Sequence, residues 1–121
     1  ALMAIPAARA VEFGRGVNAG LMRGSKHNDK WGEDMSLDEG ADGALGGMAS
    51  GAPIHVRVTF KPPSGISKPQ ETFNQVTGMM EELAIKGRHD PVIAPRARPV
   101  VEAVARLVIA DLGIQGGYID G

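Results

Sequence analysis

Between residues 54 and 60 apolar and polar side chains alternate without a break, Ile54, Val56, Val58 and Phe60 against His55, Arg57 and Thr59. A period of two is the mark of a strand with one face in a core and the other polar, and it carries Lys61 onto the polar face at the strand's end. Further on the period changes. Val100, Val101, Val104, Leu107, Val108 and Ile109 surround a thin polar stripe of Glu102 and Arg106, which predicts a mostly buried helix over residues 100–112, opened by Pro99 and stopped by Gly113. Residues 1–10 read as the end of a helix that Pro6 breaks, residues 11–13 as a short strand closed by Gly14, and residues 16–23 as a short helix stopped at Gly24. A short strand over 72–76, a helix over 79–83 in spite of Gly78, and a strand over 83–86 complete the expectations.

Two stretches carry no period. Residues 25–40 are charged throughout, with Trp31 as the one large anchor, and a loop of that length inside a compact protein is a lid or a disordered segment. Residues 40–51 are almost entirely small, so their backbone can approach a ligand or another backbone closely. The glycines there do not form G-x-G-x-x-G, and the strand follows them instead of preceding them, which excludes a dinucleotide-binding unit. Pro62-Pro63-Ser64-Gly65 forces a turn after Lys61, and Pro91 holds Asp90 out of helical angles.

With 121 residues the chain is about one domain long, and 17 glycines and 8 prolines beside one Trp, one Tyr and three Phe imply many turns and a modest core. A net charge of −1 offers no general attraction to nucleic acid or an anionic membrane, so neither is expected as a partner and any anion site must be local. The absence of cysteine removes disulfides, thiolate metal sites and thiol nucleophiles, and makes the cytosol the default compartment.

Lys61 with the turn that follows places an ammonium, a hydroxyl and backbone amides at a strand mouth, a group of donors that suits a phosphate; a lysine before a Pro-Pro turn is more often a solvated strand end. Arg88-His89-Asp90 puts a fixed cation, an imidazole and a carboxylate at the end of a strand. In extended geometry Arg88 and Asp90 share a side and His89 points away, and the plain alternative is a surface ion pair between Arg88 and Asp90. His27 lies in the charged loop and His55 on the polar strand face, and no histidine pair has metal-ligand spacing. Ser50 and Ser64 lack a G-x-S-x-G elbow, which leaves hydrolase chemistry without support.

Taken together, Gly43-Ala44-Leu45-Gly46-Gly47-Met48-Ala49-Ser50-Gly51-Ala52-Pro53-Ile54, then Phe60-Lys61-Pro62, then Lys86-Gly87-Arg88-His89-Asp90-Pro91 resemble successive blocks of the chorismate synthases. Pro95-Arg96-Ala97 and Pro99-Val100-Val101-Glu102-Ala103 continue the likeness. Ile5-Pro6-Ala7, Val11-Glu12-Phe13-Gly14 and Met22-Arg23-Gly24-Ser25 extend it forward, so it covers nearly the whole chain.

The resemblance implies an α+β fold, part of a layered sandwich with helices packed between antiparallel β-sheets, in a homotetrameric lyase. It implies 1,4-elimination of phosphate from 5-enolpyruvylshikimate 3-phosphate to give chorismate, with reduced FMN that lends an electron and takes it back. By position, Pro6, Ala7, Gly46, Lys61, Pro62, Pro63, Ser64, Gly65 and Arg88 would fall on the FMN site, with Lys61 meeting the flavin phosphate. Asp90 matches the carboxylate placed near flavin N5. Gly65 stands where many relatives carry a hydroxyl, so Ser64 or backbone amides must supply that contact. Glu39-Gly40-Ala41-Asp42 replaces a more usual Asn-x-Ala-Gly.

The family's Gly-x-Ser-His-Gly block, its second histidine block and its substrate-holding arginines do not occur here, and none of the three histidines matches those catalytic acids. The chain also begins without Met, inside what reads as a helix. Residues 1–121 are therefore expected to be the C-terminal part of a single domain whose N-terminal portion is missing, inactive alone. The rival is a non-catalytic module that binds flavin or phosphate, or only packs against partner chains.

Overall fold

The computed structural model describes residues 1–28, 30–35, 37 and 42–120. Along the chain run a single 3-10 turn over Leu2–Ala4, strand β1 (Ala8–Phe13), a 3-10 segment over Gly16–Leu21, strands β2 (Ala44–Leu45), β3 (Met48–Ala49), β4 (Val56–Phe60), β5 (Gln70–Asn74) and β6 (Met79–Leu83), and helix α1 (Ala94–Gln115). The strands pair antiparallel as β1 with β4, β2 with β3, and β5 with β6.

The alternating segment is β4, and its alternation is kept: Val56, Val58 and Phe60 are half-buried and Arg57 and Thr59 exposed. Its register against β1 sets Val11 opposite Val58, Phe13 opposite Val56 and Glu12 opposite Arg57. Residues directly opposite share a face. One face is therefore apolar, and on the other Arg57 reaches the Glu12 carboxylate at 3.2 Å. Helix α1 lies over the apolar face, where Ala105, Val108 and Ile109 share a cleft with Val11, Phe13, Val56, Leu2 and Met3. Farther along, Val101 shares a second cleft with Val56, Val58 and Phe60.

Several expectations are corrected. The first ten residues are not a helix end: beyond one 3-10 turn the backbone reverses at Pro6 and Ala7 and enters β1 at Ala8, three residues earlier than expected. Pairing with β4 outweighs the helical preference of the alanines there. Residues 79–83 form a strand, not a helix. Gly78, at φ 71, turns the chain back from β5, and Asn74 Oδ1 accepts the amides of Val76 at 2.8 Å and Thr77 at 3.4 Å. That Asx-type turn makes a hairpin of a Met/Glu/Leu run that would be helical by propensity. The strand expected over 83–86 ends at Leu83.

Helix α1 starts earlier and ends later than its pattern predicts. Pro95, not Pro99, takes a first-turn position, and Pro99 sits inside the helix. Its missing amide leaves the Pro95 carbonyl without an intrahelical donor, a loss water can make good because Pro95 is exposed. At the other end the Gly117 amide bonds Ile114 O at 3.0 Å and the Tyr118 amide bonds Gly113 O at 2.8 Å. With Gly117 at φ 71 this is a Schellman stop, four residues beyond Gly113. Burial also differs from expectation. Ala97, Val101, Val104 and Ala105 are half-covered, whereas Val100, Leu107, Ile109 and Leu112 are exposed, Leu107 at 69%.

Of the charged segment 25–40, residues 29, 36 and 38–40 lie outside the described set. Trp31 pairs by an isolated bridge with Leu37 but is 59% exposed, so it does not anchor the segment in a core. The small-residue stretch is the β2–β3 hairpin, whose Gly46 and Gly47 both have positive φ, 57 and 84, as a two-residue type I′ turn requires.

The architecture is mixed α+β, one helix on a two-stranded antiparallel ladder with two further hairpins. Ala8, 5% exposed, is the buried apolar side chain among the described residues. The chain exposes 9852 Å², against roughly 6,200 Å² for a compact monomer of this mass.

Candidate functional site

The resemblance singles out four short blocks, and backbone pairing decides which of them meet. Residues 5–8 form a tight turn in which the Ala8 amide bonds Ile5 O at 3.1 Å. Pro6 presets its first corner. Ala7 occupies the second at φ 67, a left-handed conformation that costs a residue with a Cβ about 1 kcal/mol or more. The Ala7 carbonyl then accepts the Lys61 amide at 2.9 Å, one step beyond the end of the β1–β4 ladder. Sheet pairing thus sets Pro6 and Ala7 beside Lys61, distant in sequence.

The turn after Lys61 meets the Arg88-His89-Asp90 segment at Gly65. A Cβ built on Gly65 would lie 3.9 Å from His89 Nδ1, ordinary contact distance. His89 is half-buried and its Nε2 lies 3.2 Å from Ile85 O. Arg88 and Asp90 are exposed on either side of it. The surface ion pair that spacing allowed is not made: among the described residues no ion pair includes Arg88 or Asp90. The Lys61 ammonium likewise has no hydrogen bond or ion pair among the described residues. The cluster therefore offers two free cations, a hydroxyl on Ser64 and a free carboxylate around one turn.

Gly46 stands apart, at the tip of the β2–β3 hairpin, where no atom approaches within 4 Å of the place a Cβ would take. Its hairpin is tied instead to residues 53 and 54 through Gly43, whose added Cβ would overlap Ile54.

Sequence reasoning missed a second polar cleft of about 500 Å³, lined by Gly14, Arg15, Asp42, Gly43, His55 and Arg57 among others. Asp42 organises it. One carboxylate oxygen accepts the Arg15 amide at 3.0 Å and the other lies 3.2 Å from His27 Nε2. A Cβ on Gly14 would overlap the same carboxylate, so glycine is needed there twice over, for space and for its φ of 52. The signals in the sequence were that glycine and the departure from the usual pattern at Asp42, but nothing joined them, since Asp42 lies 27 residues from Arg15. Below this cleft Glu12 is held under the ordinary carboxylate range, chiefly by the Val17 amide and then by Arg57. Among the described residues no three His, Asp or Glu side chains converge as a metal ion would need, and no helix is long and apolar enough to cross a membrane.

Comparison with known proteins is consistent in direction. Residues 1–114 match the family model described as chorismate synthase. The chain is 49% identical over 116 residues to the chorismate synthase of Aeropyrum pernix, covering 93% of this chain and 30% of that protein. It is 44% identical over 123 residues to that of Dehalococcoides mccartyi, covering 98% and 34%, and 46% identical over 124 residues to that of Methanosarcina mazei, covering 99% and 34%. The chain thus spans about a third of the length of the curated relatives it matches. A match that runs over all of the blocks named above leaves one assignment: the chain belongs to the chorismate synthase family.

Proposed function

We propose that this chain supplies the cofactor-binding C-terminal portion of a chorismate synthase, a cytosolic homotetrameric lyase that eliminates phosphate from 5-enolpyruvylshikimate 3-phosphate with the help of reduced FMN. The observation that carries the reading is the convergence of the Pro6-Ala7 turn, the Lys61–Gly65 turn and the Arg88–Asp90 segment at one place, through the Lys61 amide on Ala7 O and the approach of His89 to Gly65.

The donor set fits the cofactor's anionic end. Lys61 and Arg88 bring charge with no internal partner to release, and Ser64 with the turn amides offers neutral donors at short range. Lys61 would hold the phosphate, while Arg88 would offset charge on the cofactor or the substrate. When bound, the reduced flavin supplies the electron density that assists departure of phosphate. Asp90, unpaired at the edge of this turn, would hold or receive a proton at its carboxylate oxygen beside the bound flavin. Gly46, on the β2–β3 hairpin, is assigned to the cofactor by the resemblance alone, since it stands apart from this turn.

Supporting the view of a portion, not a whole enzyme, are the large exposed apolar surface and the missing histidine blocks. On this reading helix α1 is one inner layer of the family's sandwich, and the chain alone does not turn over substrate. Substitutions in the full-length protein test the roles. Asp90→Ala should lower turnover by about 10²-fold or more with FMN still bound, and Lys61→Ala should mainly weaken FMN, by about tenfold, as read by flavin fluorescence titration. Unchanged turnover in the first variant would remove Asp90 from the mechanism.

A further inference from the structure

His89 lies between the two residues to which the resemblance gives roles, and its ring has one nitrogen engaged and one open. Nε2 is 3.2 Å from Ile85 O. A carbonyl can only accept, so the proton of the neutral ring sits on Nε2 and Nδ1 presents a lone pair. Nδ1 faces the Lys61–Gly65 turn, 3.9 Å from where a Cβ on Gly65 would be, and among the described residues it has no partner. Of the other free side chains there, the Lys61 ammonium and the Arg88 guanidinium only donate, and the Ser64 hydroxyl can donate or accept. Asp90, the other acceptor of the run, is exposed, whereas His89 is half-buried against Gly65.

An ionised phosphate oxygen only accepts and cannot satisfy a lone pair; a hydroxyl can. A serine at position 65 would place its own hydroxyl within hydrogen-bond reach of Nδ1, because an Oγ lies about 1.4 Å beyond a Cβ that is already in contact. This chain has glycine there, and the acceptor is left open toward the ligand.

We propose that His89 is a specificity-determining residue whose Nδ1 accepts a hydroxyl from the carbon chain that bears the phosphate, so that the turn selects a phosphorylated polyol over a phosphate on a plain alkyl chain. The proposal rests on the phosphate reading of the Lys61–Gly65 turn.

The test is a pair of fluorescence titrations of the full-length protein, one with FMN and one with a flavin alkyl phosphate whose side chain carries no hydroxyls. The unsubstituted protein is expected to prefer FMN by about 3- to 10-fold, the span of one net hydrogen bond. His89→Gln, which can still reach Ile85 but has nothing at the Nδ1 position, should erase that preference. His89→Asn, whose amide oxygen falls where Nδ1 was, should keep it to within about twofold. Gly65→Ser should erase it by occupying Nδ1 internally. Equal affinities for the two flavins in the unsubstituted protein would overturn the proposal. So would a preference that survives in Gln and is lost in Asn, which would reduce His89 to a prop on Ile85. Lys61→Ala separates the two levels: it should weaken both flavins alike. If it weakens neither, or if FMN does not bind at all, the phosphate reading falls and this inference with it; a normal Lys61 effect with a flat flavin ratio sinks the inference alone.

Discussion

Ala7 is the residue on which the candidate site turns. Its φ of 67 is a conformation glycine adopts freely and alanine does not, yet its carbonyl must hold that orientation to receive the Lys61 amide. Ala7→Gly should therefore be tolerated with little loss of stability, while Ala7→Val, β-branched at positive φ, should cost about 2 kcal/mol or more and loosen FMN as well, since the Lys61 turn is docked on it. Denaturant unfolding of the full-length variants beside flavin titration would check both halves; a valine variant of normal stability would show that the turn carries no strain. At this scale the sequence is readable where chemistry is local. Lys61, Ser64 and the Arg88–Asp90 run announce themselves by type and by the turns around them. What Asp42 and Ala7 do is not readable, because it is a long-range bond and a dihedral angle, and neither leaves a mark on neighbouring residues.

The β5–β6 hairpin shows how an element can contradict its own composition. Met79, Met80, Glu81, Glu82 and Leu83 are helix formers, but Thr72 faces Glu81 across the ladder and Asn74 directs the turn. Glu81 accepts from Asn74 Nδ2 at 2.9 Å and also from the Thr77 hydroxyl, and these bonds, Asn74 first, lower its pKa from the ordinary glutamate value. A carboxyl whose folded pKa is depressed contributes stability above its unfolded pKa and loses it as pH falls through the folded one. The hairpin should thus lose protection below about pH 4, as should the Glu12–Val17–Arg57 corner, where the shift has the same sign. Glu81→Gln should leave the hairpin weaker at neutral pH and remove its loss of protection in acid, measured by amide exchange on residues 70–83. A variant as acid-sensitive as the original would place the acid response elsewhere. The hairpin also sets Glu71 directly opposite Glu82, a like-charge pair that weakens it further. The presence and type of an element were legible wherever a period was long enough to be read, as in β4 and α1, though not their ends, since α1 runs from Ala94 to Gln115. Type was not legible where five or six residues could serve either period and a partner strand made the choice.

For the molecule as a whole the deciding quantity is surface. An accessible area of 9852 Å², roughly 3,600 Å² above that of a compact monomer of equal mass, leaves α1 covered along one side only and the Phe73–Met80 pair of the hairpin in the open. The expectation of a mostly buried α1 was right about which residues are apolar; what no pattern within these residues could show is that Val100, Leu107, Ile109 and Leu112 are left exposed. Produced alone, the 121-residue chain should bind an apolar dye strongly and melt over a broad range or self-associate, while the full-length protein should do neither. A sharp, monomeric, two-state calorimetric transition of the isolated chain would refute this.

The bond from Lys61 to Ala7 has a kinetic meaning as well. It closes an excursion of roughly fifty residues, and a contact so remote along the chain is made late, after the local hairpins have formed. The nascent polypeptide then lacks the turn proposed to hold phosphate until its antiparallel ladder has zipped to the last rung. A cofactor present during synthesis would meet its docking place only at the end of folding, where it would act as a latch on the finished ladder and slow the reverse step.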